Sequence, residues 1–156
     1  MNIRQQLFSL AFFASSVSLA QSTPLVPFVE WSSKNPNWSK DVNEFAYVAA
    51  RCSALYSPIG SILAEKGATK QAREFGEDLI GRGVQISLFA FQLARDNGWS
   101  PEKLTERHKA IAEIYWKTIS SNRTVHNNIF NGFIEDDYKF CVEFERIIRA
   151  AAKTVK

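Results

Sequence analysis

Cys52 and Cys141 are the only two cysteines in the chain, and each stands within an apolar stripe of helical period. Around Cys52 the stripe reads Val42, Phe45, Val48, Ala49, Leu55 and Tyr56. Around Cys141 it reads Phe140, Phe144, Ile147, Ile148 and Ala151. Apolar residues recurring every three or four positions mark the buried face of a helix. In an oxidising compartment two half-buried cysteines are expected to pair. The bridge would close a loop of about 90 residues and contribute ~4 kcal/mol by restricting the unfolded chain, a good part of a domain's net stability. A redox or metal role fits poorly, because the chain has no CxxC pair and only two histidines.

The amino terminus supplies the oxidising compartment. Arg4 and the terminal amine form a short positive region, Leu7 to Val17 is apolar and uncharged, and Ser18-Leu19-Ala20 puts small residues where a signal peptidase reads. This is the pattern of a secretory signal peptide over 1–20, with cleavage expected between Ala20 and Gln21. The run is too short for a membrane anchor, which needs roughly 20 apolar residues. No cysteine follows it closely, so no lipid attachment is expected. The processed protein is expected to be periplasmic or secreted, with no membrane span.

The net charge of +3 is spread over many faces rather than gathered in a stripe. A nucleic-acid binder would carry a basic block, so no nucleic-acid partner is expected. The chain left by processing fits a single domain.

Residues 21–38 contain three of the five prolines and no helical period. They are expected to form an extended arm lying on the domain, with Val26, Phe28, Val29 and Trp31 packing. From Ser39, a good N-cap, the pattern turns helical, and 39–156 reads as one helical domain. The first long helix should be ended or kinked by Pro58, with Gly67 as its C-cap. The second runs from about Ala68 to Asn97 and stops at Gly98. Its main stripe is Ala72, Phe75, Leu79, Gly83, Ile86, Ala90 and Leu93, joined by a second of Ile80, Val84, Leu88 and Phe91. So wide an apolar arc places this helix at the centre of the domain. Gly76, Gly81 and Gly83 either admit a close neighbour or break it, and the unbroken phase favours continuity.

Ser100-Pro101-Glu102 is a strong helix start, and its stripe carries Leu104, His108, Ile111, Ala112 and Tyr115. Ser120 to Gly132 reads as a loop, and the last helix spans about Phe133 to Lys153. The pattern predicts an all-α, antiparallel four-helix bundle with an extended N-terminal arm and a disulfide between the first and last helices.

His108 is the one candidate for chemistry, since its place among apolar residues could turn the imidazole inward. It could ligate haem or act as a base with Glu113, though a hydrogen-bonded boundary histidine is the simpler reading. Met1 is the only methionine, CxxCH is absent, and His126 falls in the expected loop. No Glu-x-x-His pair suggests a di-iron site. No cofactor and no metal are therefore expected. Glu77-Asp78 and Glu135-Asp136-Asp137 read as solvated acids or as a charged helix start. Gly60-Ser61 lacks the nucleophile elbow, and Gly81-Arg82-Gly83 resembles no phosphate loop.

Trp31, Trp38, Trp99, Phe89 and Phe91 are the candidates for binding, because tryptophans near element ends are frequent in interface hot spots. Asn37 and Asn122 begin sequons that matter only on a eukaryotic route. The expected function is that of an exported binding protein without catalytic chemistry. Its partner would be a protein, as for an inhibitor, immunity factor or chaperone, or a small apolar ligand. The alternative is a small hydrolase or lyase using His108 with a neighbouring carboxylate.

Overall fold

The computed structural model describes residues 25–154, and the expected leader, 1–20, lies outside the described residues. The described chain is all-helical: α1 (Phe28–Lys34), α2 (Val42–Leu63), α3 (Lys70–Asp96), α4 (Pro101–His126) and α5 (Phe133–Thr154). No helix among the described residues is long and apolar enough to cross a membrane.

The centre of the molecule is α2, not α3 as the wide apolar arc suggested. Every residue from Arg51 to Tyr56 is buried, and α2 packs against α3, α4 and α5. Small residues decide this arrangement. Gly60 and Gly76 let α2 and α3 approach so closely that a Cβ on Gly60 would lie 2.6 Å from the Gly76 carbonyl oxygen. The seam holds the first stripe of α3, with Leu79, Ile86 and Ala90 buried, and of the second stripe it leaves Val84 and Leu88 exposed while Ile80 and Phe91 are half-buried.

Contacts along the helices give their senses. Tyr56 meets Gly83 and Phe45 meets Phe89, so α2 and α3 run in opposite directions. Tyr47 lies under Arg107 and Arg51 meets Tyr115, so α4 runs with α2. On α5, Phe144 packs on Phe45 and Cys141 bonds to Cys52, so α5 opposes α2. The disulfide joins the two long helices as expected, with Cα atoms 5.3 Å apart.

Several local expectations are corrected. The arm is not extended throughout: α1 begins directly after Pro27, whose extended backbone forms its N-cap, and is braced by a Glu30–Lys34 ion pair at 2.6 Å. Its Phe28 ring stacks on Phe140 at 4.3 Å. Asp41, not Ser39, caps α2, its carboxylate accepting from the Asn43 and Glu44 amides at 2.9 and 3.0 Å. The turn through residues 35–41 takes up Ser39. Pro58 does not end α2, because the buried turn after it is held against α3. The second long helix is capped by Thr69 and continuous through its glycines, and Ser100 caps α4 as expected.

The Ser- and Asn-rich stretch is not a loop up to Asn127. There α4 continues to His126 because its polar side chains find local partners. Thr124 donates to the Ser120 carbonyl at 2.9 Å, and Arg123 grips both oxygens of Glu65 at 2.8 and 2.7 Å. The Asn122 amide donates to the Asn131 carbonyl at 2.9 Å, which folds the chain back toward α5. Several apolar expectations fail at the surface: Val29 of the arm, Phe75 and Ile147 are exposed, as are Val84 and Leu88 of the second α3 stripe.

A groove between α3 and α4

With α2 occupying the centre, α3 and α4 lie on either side of it and hardly touch each other. Between them runs a groove floored by α2. Its α3 wall carries Ile80, Val84, Ser87, Leu88 and Phe91, and its α4 wall carries Leu104 and His108. Val84 and Leu88 are 54 % and 67 % exposed, so the wall is apolar and open to solvent.

The middle of the groove is polar. Ser53, Ser57, Ser87 and His108 line a depression of about 130 Å³. His108 Nε2 is 2.8 Å from Ser53 Oγ, and the Phe91 ring stands 6.3 Å from the imidazole. The Ser53 hydroxyl also donates to the Ala50 carbonyl at 2.9 Å. A hydroxyl has one proton. With that proton on the carbonyl, His108 donates to Ser53 and does not act as its base. Burial holds the His108 pKa below its ordinary value, so the neutral ring is favoured. Glu113, the carboxylate suggested by sequence, is exposed and lies five residues on, well round the helix from His108.

Toward the end where α4 begins, the groove closes over a cavity of only about 20 Å³ lined by Tyr47, Phe91, Trp99, Leu104 and Arg107. The Trp99 indole donates to Asn43 Oδ1 at 2.8 Å. Arg107 lies over Tyr47 at 4.5 Å and over Trp99 at 5.5 Å, a cation–π sandwich that pins α4 to α2.

The structure thus brings Phe91, Trp99 and the His108 neighbourhood together on one side. It places the other candidates elsewhere. Phe89 packs edge-on against Phe45 beside a separate depression near Ser39 to Val42. Trp38 is half-buried against Phe45, Phe140 and Phe144, and Trp31 is half-buried between Phe28 and Tyr47. Of the two sequons, Asn37 is exposed and Asn122 is half-buried.

Sequence reasoning missed one polar cluster entirely. Asp137, read as part of a solvated acidic start, is fully buried. It accepts from Arg51 Nη2 at 2.6 Å, from the Tyr115 hydroxyl at 2.5 Å and from the Phe28 amide at 2.7 Å. Arg51 Nε also donates to the Tyr115 oxygen at 2.7 Å, and its guanidinium stacks 4.0 Å from the Phe28 ring centre. Burial works against the Arg51 charge, but Tyr115 and Asp137 outweigh it and hold its pKa above the ordinary value. Burial likewise pushes Tyr115 well up, so its hydroxyl stays protonated. The signal was present: Arg51 falls three residues after Val48 and four before Leu55, on the stripe itself. The cluster joins α1, α2, α4 and α5.

Comparison of the chain with protein-family models, with curated proteins and with solved structures finds no match.

Proposed function

We propose that this is an exported, periplasmic or secreted, binding protein without catalytic chemistry. On this reading an antiparallel four-helix bundle of α2 to α5, with α1 laid across it, presents the α3–α4 groove to a protein partner. The observation that carries the reading is the exposure of Val84 and Leu88 on a continuous apolar wall. Apolar side chains lined up along a groove mark an interaction site more often than scattered ones do, and an amphipathic helix is the natural occupant of such a groove. A protein partner is favoured over a small apolar ligand by size. The closed end of the groove holds only about 20 Å³, and its roomier stretch of about 250 Å³ along Leu88, Phe91 and Leu104 is open to solvent, whereas small-molecule sites bury most of their ligand.

The test uses Leu88→Glu, an exposed change that leaves the core intact. A photo-crosslinking residue placed at Val84 is expected to capture a stoichiometric protein from the native envelope or medium, and Leu88→Glu to abolish that capture. Equal capture by both forms would refute the groove as the binding site.

A second reading, a small hydrolase or lyase, is supported by the Ser53–His108 contact at 2.8 Å. It requires the Ser53 proton to leave the Ala50 carbonyl for the imidazole. Turnover of an activated ester lost in both Ser53→Ala and His108→Ala would establish it; no turnover above background would end it.

A further inference from the structure

The proposed binding face has a property that names one occupant. Along α3, Glu77, Gly81, Val84, Leu88, Phe91 and Arg95 follow one another at alternating steps of four and three residues. That spacing is the repeat by which one helix lines up along another. Gly81 is the unexplained member. Gly76 and Gly83 make room for α2, but a Cβ on Gly81 would meet nothing within 4 Å. A glycine in an exposed helix interior costs about 1 kcal/mol relative to alanine, and within the monomer nothing offsets it.

The charges on the stripe are also unspent. Lys70 pairs with Glu74, and Arg82 bridges Asp78 and Glu145. Among the described residues, Glu77 and Arg95 have no ion-pair partner, although Arg95 donates to the neighbouring Gln92. One acid stands near the start of the stripe and one base near its end, with apolar residues between. A two-fold contact brings the same surface of two copies together so that residue i meets j and j meets i, and with the helices antiparallel such a stripe complements itself.

Resting on the groove reading above, we infer that the α3 stripe pairs with the α3 stripe of a second copy of this chain. In an antiparallel pairing centred at the height of Ile86, Val84 faces Leu88 of the second copy and Gly81 faces Phe91. Glu77 then faces Arg95, and each relation occurs twice. The partly exposed Phe91 lies opposite the gap left by Gly81, which lets the two helices approach there, and both unpaired charges are neutralised at the two ends of the apolar strip. An unrelated partner helix would need to supply the complementary pattern; a second copy supplies it by symmetry.

The experiment is sedimentation equilibrium on the purified processed protein, with helicity checked by circular dichroism. The wild type is expected to dimerise reversibly with protein concentration. Glu77→Arg and Arg95→Glu are each expected to weaken the dimer roughly fivefold or more, because each creates two like-charge contacts. The double variant restores opposite charges and is expected to return to near the wild-type constant. A wild type that is monomeric throughout, or a double variant no better than either single one, overturns the pairing. A monomer that still loses a crosslinked partner on Leu88→Glu overturns self-pairing while leaving the groove reading in place. A dimer with the expected charge behaviour that captures no other protein supports self-pairing and removes the other partner.

Discussion

Arg51 and Asp137 form an ion pair at 2.6 Å with neither side chain exposed to solvent. Breaking one member of such a pair strands a charge in the core and costs about 3–5 kcal/mol. Asp137→Ala should therefore destabilise the protein by about that amount, the more so because the Phe28 amide and the Tyr115 hydroxyl lose their acceptor. Asp137→Asn keeps a carbonyl acceptor but leaves Arg51 uncompensated. Adding Arg51→Met to Asp137→Asn should recover a large part of the loss. Denaturant unfolding of the two singles and the double measures the coupling; independent, additive effects would contradict it.

Reduction of the Cys52–Cys141 bond, which spans 89 residues, should lower stability by about 4 kcal/mol in the chain-entropy account. The Cys52→Ala, Cys141→Ala double variant should show the same loss and no further response to reductant. Chemical denaturation with and without reductant is the check.

The two classes of glycine on α3 should respond oppositely to alanine. At Gly76 a Cβ would lie 2.6 Å from the Gly60 carbonyl oxygen and 2.9 Å from the Ala64 nitrogen, both backbone atoms that cannot swing away. Gly76→Ala should separate α2 from α3 and cost about 1–3 kcal/mol, as overpacking does. Gly81→Ala meets open space and should stabilise the monomer by up to about 1 kcal/mol. Thermal unfolding of the pair at low concentration distinguishes them.

His108 should make stability fall on mild acidification. Its folded pKa is lowered by burial from the ordinary 6.5, so the unfolded chain binds the proton first. Its contribution is fully present above the unfolded value. It is lost as pH falls from about 6.5 toward the folded pKa and levels off once both states are protonated. The difference in stability between wild type and His108→Gln across that range isolates this group from the carboxylates. A flat difference would count against it.

Much of the fold was legible because periodicity and capping are local signals. The start at Ser100 and the stop near Gly98 needed only neighbouring residues, and the cysteine pairing followed from two apolar stripes of helical period. What failed depended on distant partners. Asp137 looks like any acid in a helix's first turn until Arg51, on another helix, reaches it. The Ser120 to Gly132 stretch reads as a loop until Arg123 finds Glu65 and Asn122 finds Asn131. Apolar width points to α3 as the central helix, whereas the small residues Gly60 and Gly76 determine which helix another can approach, and they centre the fold on α2. Of the binding candidates, the structure places Phe91 and Trp99 along the groove. The groove itself was written in Val84 and Leu88, which sequence reading had assigned to the interior.

The tie between the Phe28 amide and Asp137 spans 109 residues, and that between Arg51 and Asp137 spans 86. A polypeptide delivered from its amino terminus exposes the Arg51 cation long before its counter-ion arrives. The buried polar joint is therefore complete only once α5, the last helix of the described chain, is in place.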